Sequence, residues 1–186
     1  VMIDRVIEAG MLDFVDDLTN PLPAMISMEL FGFPLADWKR FADPFHKMLF
    51  TPQDAPEYPQ TLDDMQFFRT AVDEAVADRM VNPREDLLTH LAQGIQTGVY
   101  GKGLLHDIAF NLMAGGIDTT TALTSNVLLY LSRHPDDRER LLQDMSLLPK
   151  AREEFVRYFT PVHQVARTVT ADVTINGWDF RKDERV

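Results

Sequence analysis

Between Ala114 and Thr121 the sequence reads Ala-Gly-Gly-Ile-Asp-Thr-Thr-Thr, which combines bare backbone, one acid and three hydroxyls. Asp118 beside Thr119 offers an acceptor and a donor that can hold water in apolar surroundings. Water with two to four polar partners is stable there, and a carboxylate–hydroxyl–water chain can relay protons. Gly115 and Gly116 carry no side chain, so a flat ligand can approach the backbone closely. The alternative is a glycine-containing helix crossing, with the Thr hydroxyls bonded to their own backbone.

The elements around this run must position it. Residues 104–113 and 122–131 are apolar, rich in Leu and Ala, and read as one continuous helix. The middle gives up about 4 kcal/mol of helix propensity through its Gly, Asp and Thr residues. Conflict between a local preference and its surroundings marks functional sites.

Helical periodicity prevails elsewhere too. A helix is expected over residues 1–18, with Ile3, Val6, Ile7, Leu12, Phe14 and Val15 apolar. A short one over 24–31 is ended by Gly32. Another spans 35–49 with Trp38, Phe41, Phe45 and Leu49 along one face. Pro52, Pro56 and Pro59 make 51–60 a loop. Thr61 can cap the next helix, which runs to Val81 with Asp63 and Asp64 in its first turn. A short amphipathic helix over 84–93, the long helix over 104–132, and two helices opened by Pro135 and Pro149 follow. From Val165 onward the pattern alternates and is β-branched, and Asn176-Gly177 between two such runs signals a hairpin turn.

The fold expected is therefore mainly α with a small C-terminal β-hairpin. It divides into early helices (1–34), a pair of helices with a proline-rich connector (35–82), the long helix (104–133), a short helix (150–158) and the hairpin (165–186). A lone two-stranded ribbon is marginal, and no Met precedes Val1, so the sequence reads as a single incomplete domain, cut at both ends.

The 186 residues suffice for one domain with a sizeable core. Lys and Arg total 18 against 29 Asp and Glu, a net charge of −11. That balance argues against nucleic acid, which selects a basic face. No apolar run reaches bilayer-spanning length, and residues 1–10 lack the pattern of a signal peptide. A cytoplasmic protein without membrane contact is expected. There is no cysteine, hence neither disulfide nor thiolate ligand, and no metal ligand is expected within this chain.

The run Gly115-Gly116-Ile117-Asp118-Thr119-Thr120 resembles the distal-helix signature of the cytochrome P450 family, soluble bacterial type. Glu154-Phe155-Val156-Arg157 matches that family's Glu-x-x-Arg motif. The segment ending in Arg167, and the hairpin after it, are similar to the part of the family that approaches the haem propionates. The order and spacing of the earlier helices fit as well, with 35–82 similar to the family's roof over the substrate channel, so the resemblance covers the whole chain and implies a P450-like helical array, incomplete here. One departure is Asp183, where the family usually has glycine.

The resemblance implies that Ala114, Gly115 and Gly116 lie over the haem (heme b) and leave room for dioxygen. It makes Asp118 and Thr119 the acid–alcohol pair that organises water and delivers protons. Arg167 would pair with a haem propionate, and Val162, His163 and Val165 would face the substrate. Glu154 and Arg157 would form a buried structural ion pair, each stranding the other's charge if removed. The aromatics Phe41, Phe45, Phe67 and Phe68 are expected in the core rather than against substrate. The activity implied is that of a haem-thiolate monooxygenase taking electrons from a ferredoxin or flavoprotein reductase and oxidising a small apolar substrate. The family's iron-ligand cysteine has no counterpart here, so the chain alone is expected to be inactive. The alternative is a non-catalytic ligand-binding relative that has lost the iron ligand.

Overall fold

Helix boundaries follow from local chemistry. The computed structural model describes residues 2–186; Val1 and the side chain of Val6, both assigned to the first expected helix, lie outside the described residues. That expected single helix is broken. α1 (Met2–Val6) passes into a 3-10 turn, Ile7–Ala9, and Gly10 adopts φ 72°. A π-helical turn, Phe14–Thr19, then starts at Asp13, whose carboxylate accepts from the N–H groups of Val15 and Asp16 at 2.8 and 3.1 Å. A left-handed glycine ends one helix, and a side-chain acceptor starts the next turn.

α2 (Pro21–Phe31) begins on prolines, whose fixed φ suits the first turn, and ends at Gly32 with φ 81°. A 3-10 turn leads into α3 (Trp38–Phe50). α4 (Tyr58–Val81) starts three residues before the expected cap. Thr61 is therefore not the cap. It is buried inside the first turn, its hydroxyl donating to Glu57 O at 3.4 Å. α5 (Leu87–Gln96) is capped by Asp86, which accepts from Thr89 N–H at 2.8 Å.

α6 (Lys102–Arg133) runs unbroken for 32 residues. α7 (Pro135–Gln143) and α8 (Leu148–Phe159) follow. β1 (Val173–Ile175) and β2 (Trp178–Phe180) pair antiparallel, Ile175 opposite Trp178. Asn176 and Gly177 between them have φ 52° and 83°, the two positive values of a type I′ turn. Beyond this hairpin, Arg167 and Val186 exchange backbone hydrogen bonds of 2.7 and 2.9 Å. Asp183, standing where glycine is usual, takes φ 68°. Aspartate tolerates that region better than most residues.

The core lies among α2 to α6. Phe31, Phe45 and Phe68 are fully buried beside Met28, Leu88 and Val72. Phe41 and Phe45 both meet Phe68 edge-on, at 6.4 and 5.0 Å between centroids, and Phe45 reaches Phe110 of α6 at 5.4 Å. Phe67 is half-buried, capped by the Arg40 guanidinium 3.7 Å from its centroid. These aromatics fill the core, as their helical spacing predicts. α6 contributes Leu105, Ala109, Met113 and Ile117, four residues apart and all buried. Among the described residues none beyond Ile117 is fully buried. The C-terminal half instead gathers round Tyr130, which stacks on His134 at 3.9 Å and meets Phe155 of α8 at 5.7 Å. No described helix is long and apolar enough to cross a membrane.

Candidate functional site

The Gly-Gly-x-Asp-Thr run sits where the buried stripe of α6 ends. Tertiary packing overrides its poor helix propensity. Met113 and Ile117 anchor the turn, and Thr121 donates to Thr19 O at 2.9 Å. One turn on, Ser125 Oγ lies 2.6 Å from Thr19 Oγ1. The Thr119 hydroxyl donates to Gly115 O at 2.8 Å, satisfying a carbonyl of its own helix.

The two glycines have different surroundings. A methyl group at Gly115 would meet nothing within 4 Å, whereas one at Gly116 would lie 2.6 Å from Ser27 Oγ. Gly116 therefore lets α2 and α6 approach closely, while Gly115 leaves an open strip. Ala114 is half-buried against the core on one side of that strip, and Thr119 lies one turn along it.

Asp118, three residues on from Gly115, has its side chain 11% exposed. Its Oδ1 lies 3.1 Å from Nδ1 of His46 on α3. Its Oδ2 is buried and has no protein hydrogen-bond partner among the described residues. An unsatisfied buried acceptor costs about 1–3 kcal/mol, so such an atom is a place for water or ligand. Gly115, Asp118 and Thr119 thus share one turn of α6.

The remaining candidates are not brought to that turn by any hydrogen bond or ion pair among the described residues. Val162, His163 and Val165 are exposed in the extended segment after α8. Arg167 is exposed and donates to the neighbouring Ala166 O at 2.9 Å. Glu154 and Arg157 do form a bidentate pair, at 2.6 and 2.7 Å. Their hydrogen bonds hold the Glu154 carboxyl below its usual value and push the Arg157 guanidinium up. The expected burial of this pair is corrected, however: the side chains are 58% and 69% exposed. At that exposure solvent screens the attraction.

The buried ion pair lies elsewhere. Arg79 on α4 donates through Nε to Asp86 Oδ2 at 2.9 Å and through Nη2 to Gly32 O at 2.9 Å. Asp86 Oδ1 accepts from the Thr89 hydroxyl and N–H at 2.7 and 2.8 Å. One cluster thus ties the ends of α2, α4 and α5 together. A Cβ at Gly32 would collide with Asp86, so only glycine fits there. Residue pattern offered one clue, an Asp ahead of an apolar helix as a cap. His46 had no such signal, since a lone histidine on a helix says nothing of a partner 72 residues away. Among the described residues no group of three or more His, Cys, Asp or Glu could hold a metal ion.

Comparison with known proteins adds the following. The family model described as Cytochrome P450 matches residues 66–186. A methyl-branched lipid omega-hydroxylase of Mycobacterium bovis is 32% identical, over 94% of this chain and 42% of its own length. A steroid C26-monooxygenase of Mycolicibacterium smegmatis is 29% identical over 100% of this chain and 47% of its own. Among solved structures, CYP109E1 from Bacillus megaterium, in complex with testosterone, superposes with a TM-score of 0.81 at 26% identity. That match covers 99% of this chain and 50% of that one. The chain spans about half the length of the relatives it matches.

Proposed function

The chain belongs to the cytochrome P450 family, and on that premise we propose that it forms the dioxygen-side wall of a haem-thiolate monooxygenase oxidising a small apolar substrate. The observation that carries this reading is the open strip of α6, where a methyl group at Gly115 would meet nothing within 4 Å and Thr119 hydrogen-bonds its carbonyl. A flat macrocycle requires such a face, because a side chain would hold it away from the helix. The unpartnered Asp118 Oδ2 beside that strip fits the same group, since protons must be delivered next to it.

Ala114 and Gly115 would lie against the haem, with Gly116 supporting the helix crossing behind them. Arg167 would hold a propionate through a charge-assisted bond. When bound through a thiolate, the haem supplies the reduction and cleavage of dioxygen. The chain contains no cysteine, so that thiolate comes from outside these 186 residues, and the chain alone is inactive. Electrons come from a ferredoxin or flavoprotein reductase, in a cytoplasmic setting.

The chain's own residues manage water and protons. Asp118, engaged at Oδ1 by His46, offers Oδ2 to a water molecule. Thr119 already donates its hydroxyl proton to Gly115 O, so its oxygen accepts a hydrogen bond from the same water. A proton taken up by the Asp118 carboxyl from solvent then passes through that water to the open strip, leaving the carboxylate ready to accept again. Val162, His163 and Val165 contribute an apolar and polar edge to the substrate side. The lipid and steroid names of the relatives support an apolar substrate class.

Replacing Thr119 by Ala in the haem-loaded protein tests the reading. The expected result is continued electron consumption with much less product per electron. Coupling equal to that of the wild type would overturn the proton-relay assignment.

A further inference from the structure

His46 stands on the roof helix α3, yet its ring reaches the distal helix. Nδ1 lies 3.1 Å from Asp118 Oδ1, and the ring packs on Phe50, one turn along α3, at 4.7 Å between centroids. The histidine side chain is 58% exposed and the aspartate 11%. The contact therefore runs from a solvent-facing donor to an enclosed carboxylate. With the carboxylate oxygen as acceptor, Nδ1 is the donor in this contact.

The two Asp118 oxygens are thereby made different. One is engaged by His46, and the other is buried without a protein partner among the described residues. Without a donor at Oδ1, rotation of the carboxylate would exchange them freely, the terminal torsion being broad and two-fold. We propose that His46 is a positioning residue that ties α3 to Asp118 and fixes which carboxylate oxygen is presented to water. This inference rests on the monooxygenase reading given above. As a partly exposed contact it adds little to stability; its effect is on orientation. It also makes the relay depend on the roof, because withdrawal of α3 removes the donor.

The test uses the haem-loaded, full-length protein. Nitrogen-15 histidine spectra at alkaline pH, where free imidazole is neutral, report which ring nitrogen carries the proton. The His46 signal, identified by its loss in His46→Ala, should show the Nδ1–H tautomer and should lose it in Asp118→Ala. In turnover, His46→Ala should lower product per electron severalfold with substrate affinity unchanged. His46→Asn, whose amide donor can approach the place of Nδ1, should restore much of the coupling. A tautomer indifferent to Asp118→Ala, or full coupling in His46→Ala, overturns the proposal. Full coupling in Thr119→Ala would instead remove the relay itself, and the proposal with it, while the spectra would still report the bond.

Discussion

Arg79 and Asp86 form a buried ion pair, at 2.9 Å with each side chain 5% exposed, that joins α4 to the cap of α5. Removing one partner of such a pair strands a charge away from water. Asp86→Ala is expected to cost about 3 kcal/mol, the low end for buried pairs, because Asp78 still contacts Arg79 Nη1 at 2.9 Å. Equilibrium urea denaturation followed by circular dichroism measures this. A loss no larger than that of an ordinary surface substitution would contradict the assignment.

The same carboxylate carries a pH signature. Burial raises the Asp86 carboxyl, but hydrogen bonds from the Thr89 hydroxyl and N–H and from Arg79 outweigh it, so it titrates below its usual value. The folded state then binds this proton more weakly than the unfolded chain. Its stabilisation is complete above the unfolded value, about 3.9, and disappears as pH falls through the lower folded value. The stability difference between wild type and Asp86→Asn should accordingly stay constant at neutral pH and shrink only below about pH 4. Shrinkage beginning near neutrality would point to another group.

Gly116 and Ser27 form a matched pair. Gly116→Ala would set a methyl 2.6 Å from Ser27 Oγ, so that either the hydroxyl rotates out of its place or α2 and α6 separate. Overpacking of this kind costs about 1–3 kcal/mol, more than alanine's gain in helix propensity. With Ser27→Ala added, only the Cβ contact at 3.7 Å remains, and the melting temperature should recover. If the double variant is no more stable than Gly116→Ala, the two residues are not in the stated contact.

Gly115→Ala should behave in the opposite sense. Its methyl meets nothing within 4 Å of this chain, so the helix gains about 1 kcal/mol in propensity. Thermal stability of the chain should rise, while product formed per electron in the haem-loaded protein should fall as the methyl crowds the open strip. Unchanged turnover would remove Gly115 from the haem face.

Much of this architecture is legible where a signal is local. The apolar, Leu- and Ala-rich flanks 104–113 and 122–131 predict one continuous helix, which is α6. Asn176-Gly177 similarly predicts the hairpin turn, because two positive φ angles are costly for other residues. Legibility fails where partners are distant or ambiguous. Glu-x-x-Arg spacing specifies that Glu154 and Arg157 meet on one helix face, but not whether that face is covered. The pair that is covered, Arg79 with Asp86, straddles the turn between two helices. Thr61 and Asp13 illustrate a third case, in which several residues can begin a helix and tertiary packing decides among them. For His46 and Asp118 no sequence rule exists, since their contact is created by how α3 lies across α6.

Because α6 is unbroken, its side chains share one rotational phase over a rod about 48 Å long, from its 32 residues at 1.5 Å each. A single residue inserted after Ile117 would turn everything beyond it by about 100°. Asp118 would leave His46, and Thr121 and Ser125 would both leave Thr19. One insertion would therefore break three contacts at once, two of them to Thr19. The long helix thus acts as a ruler against which the elements packed on it are registered.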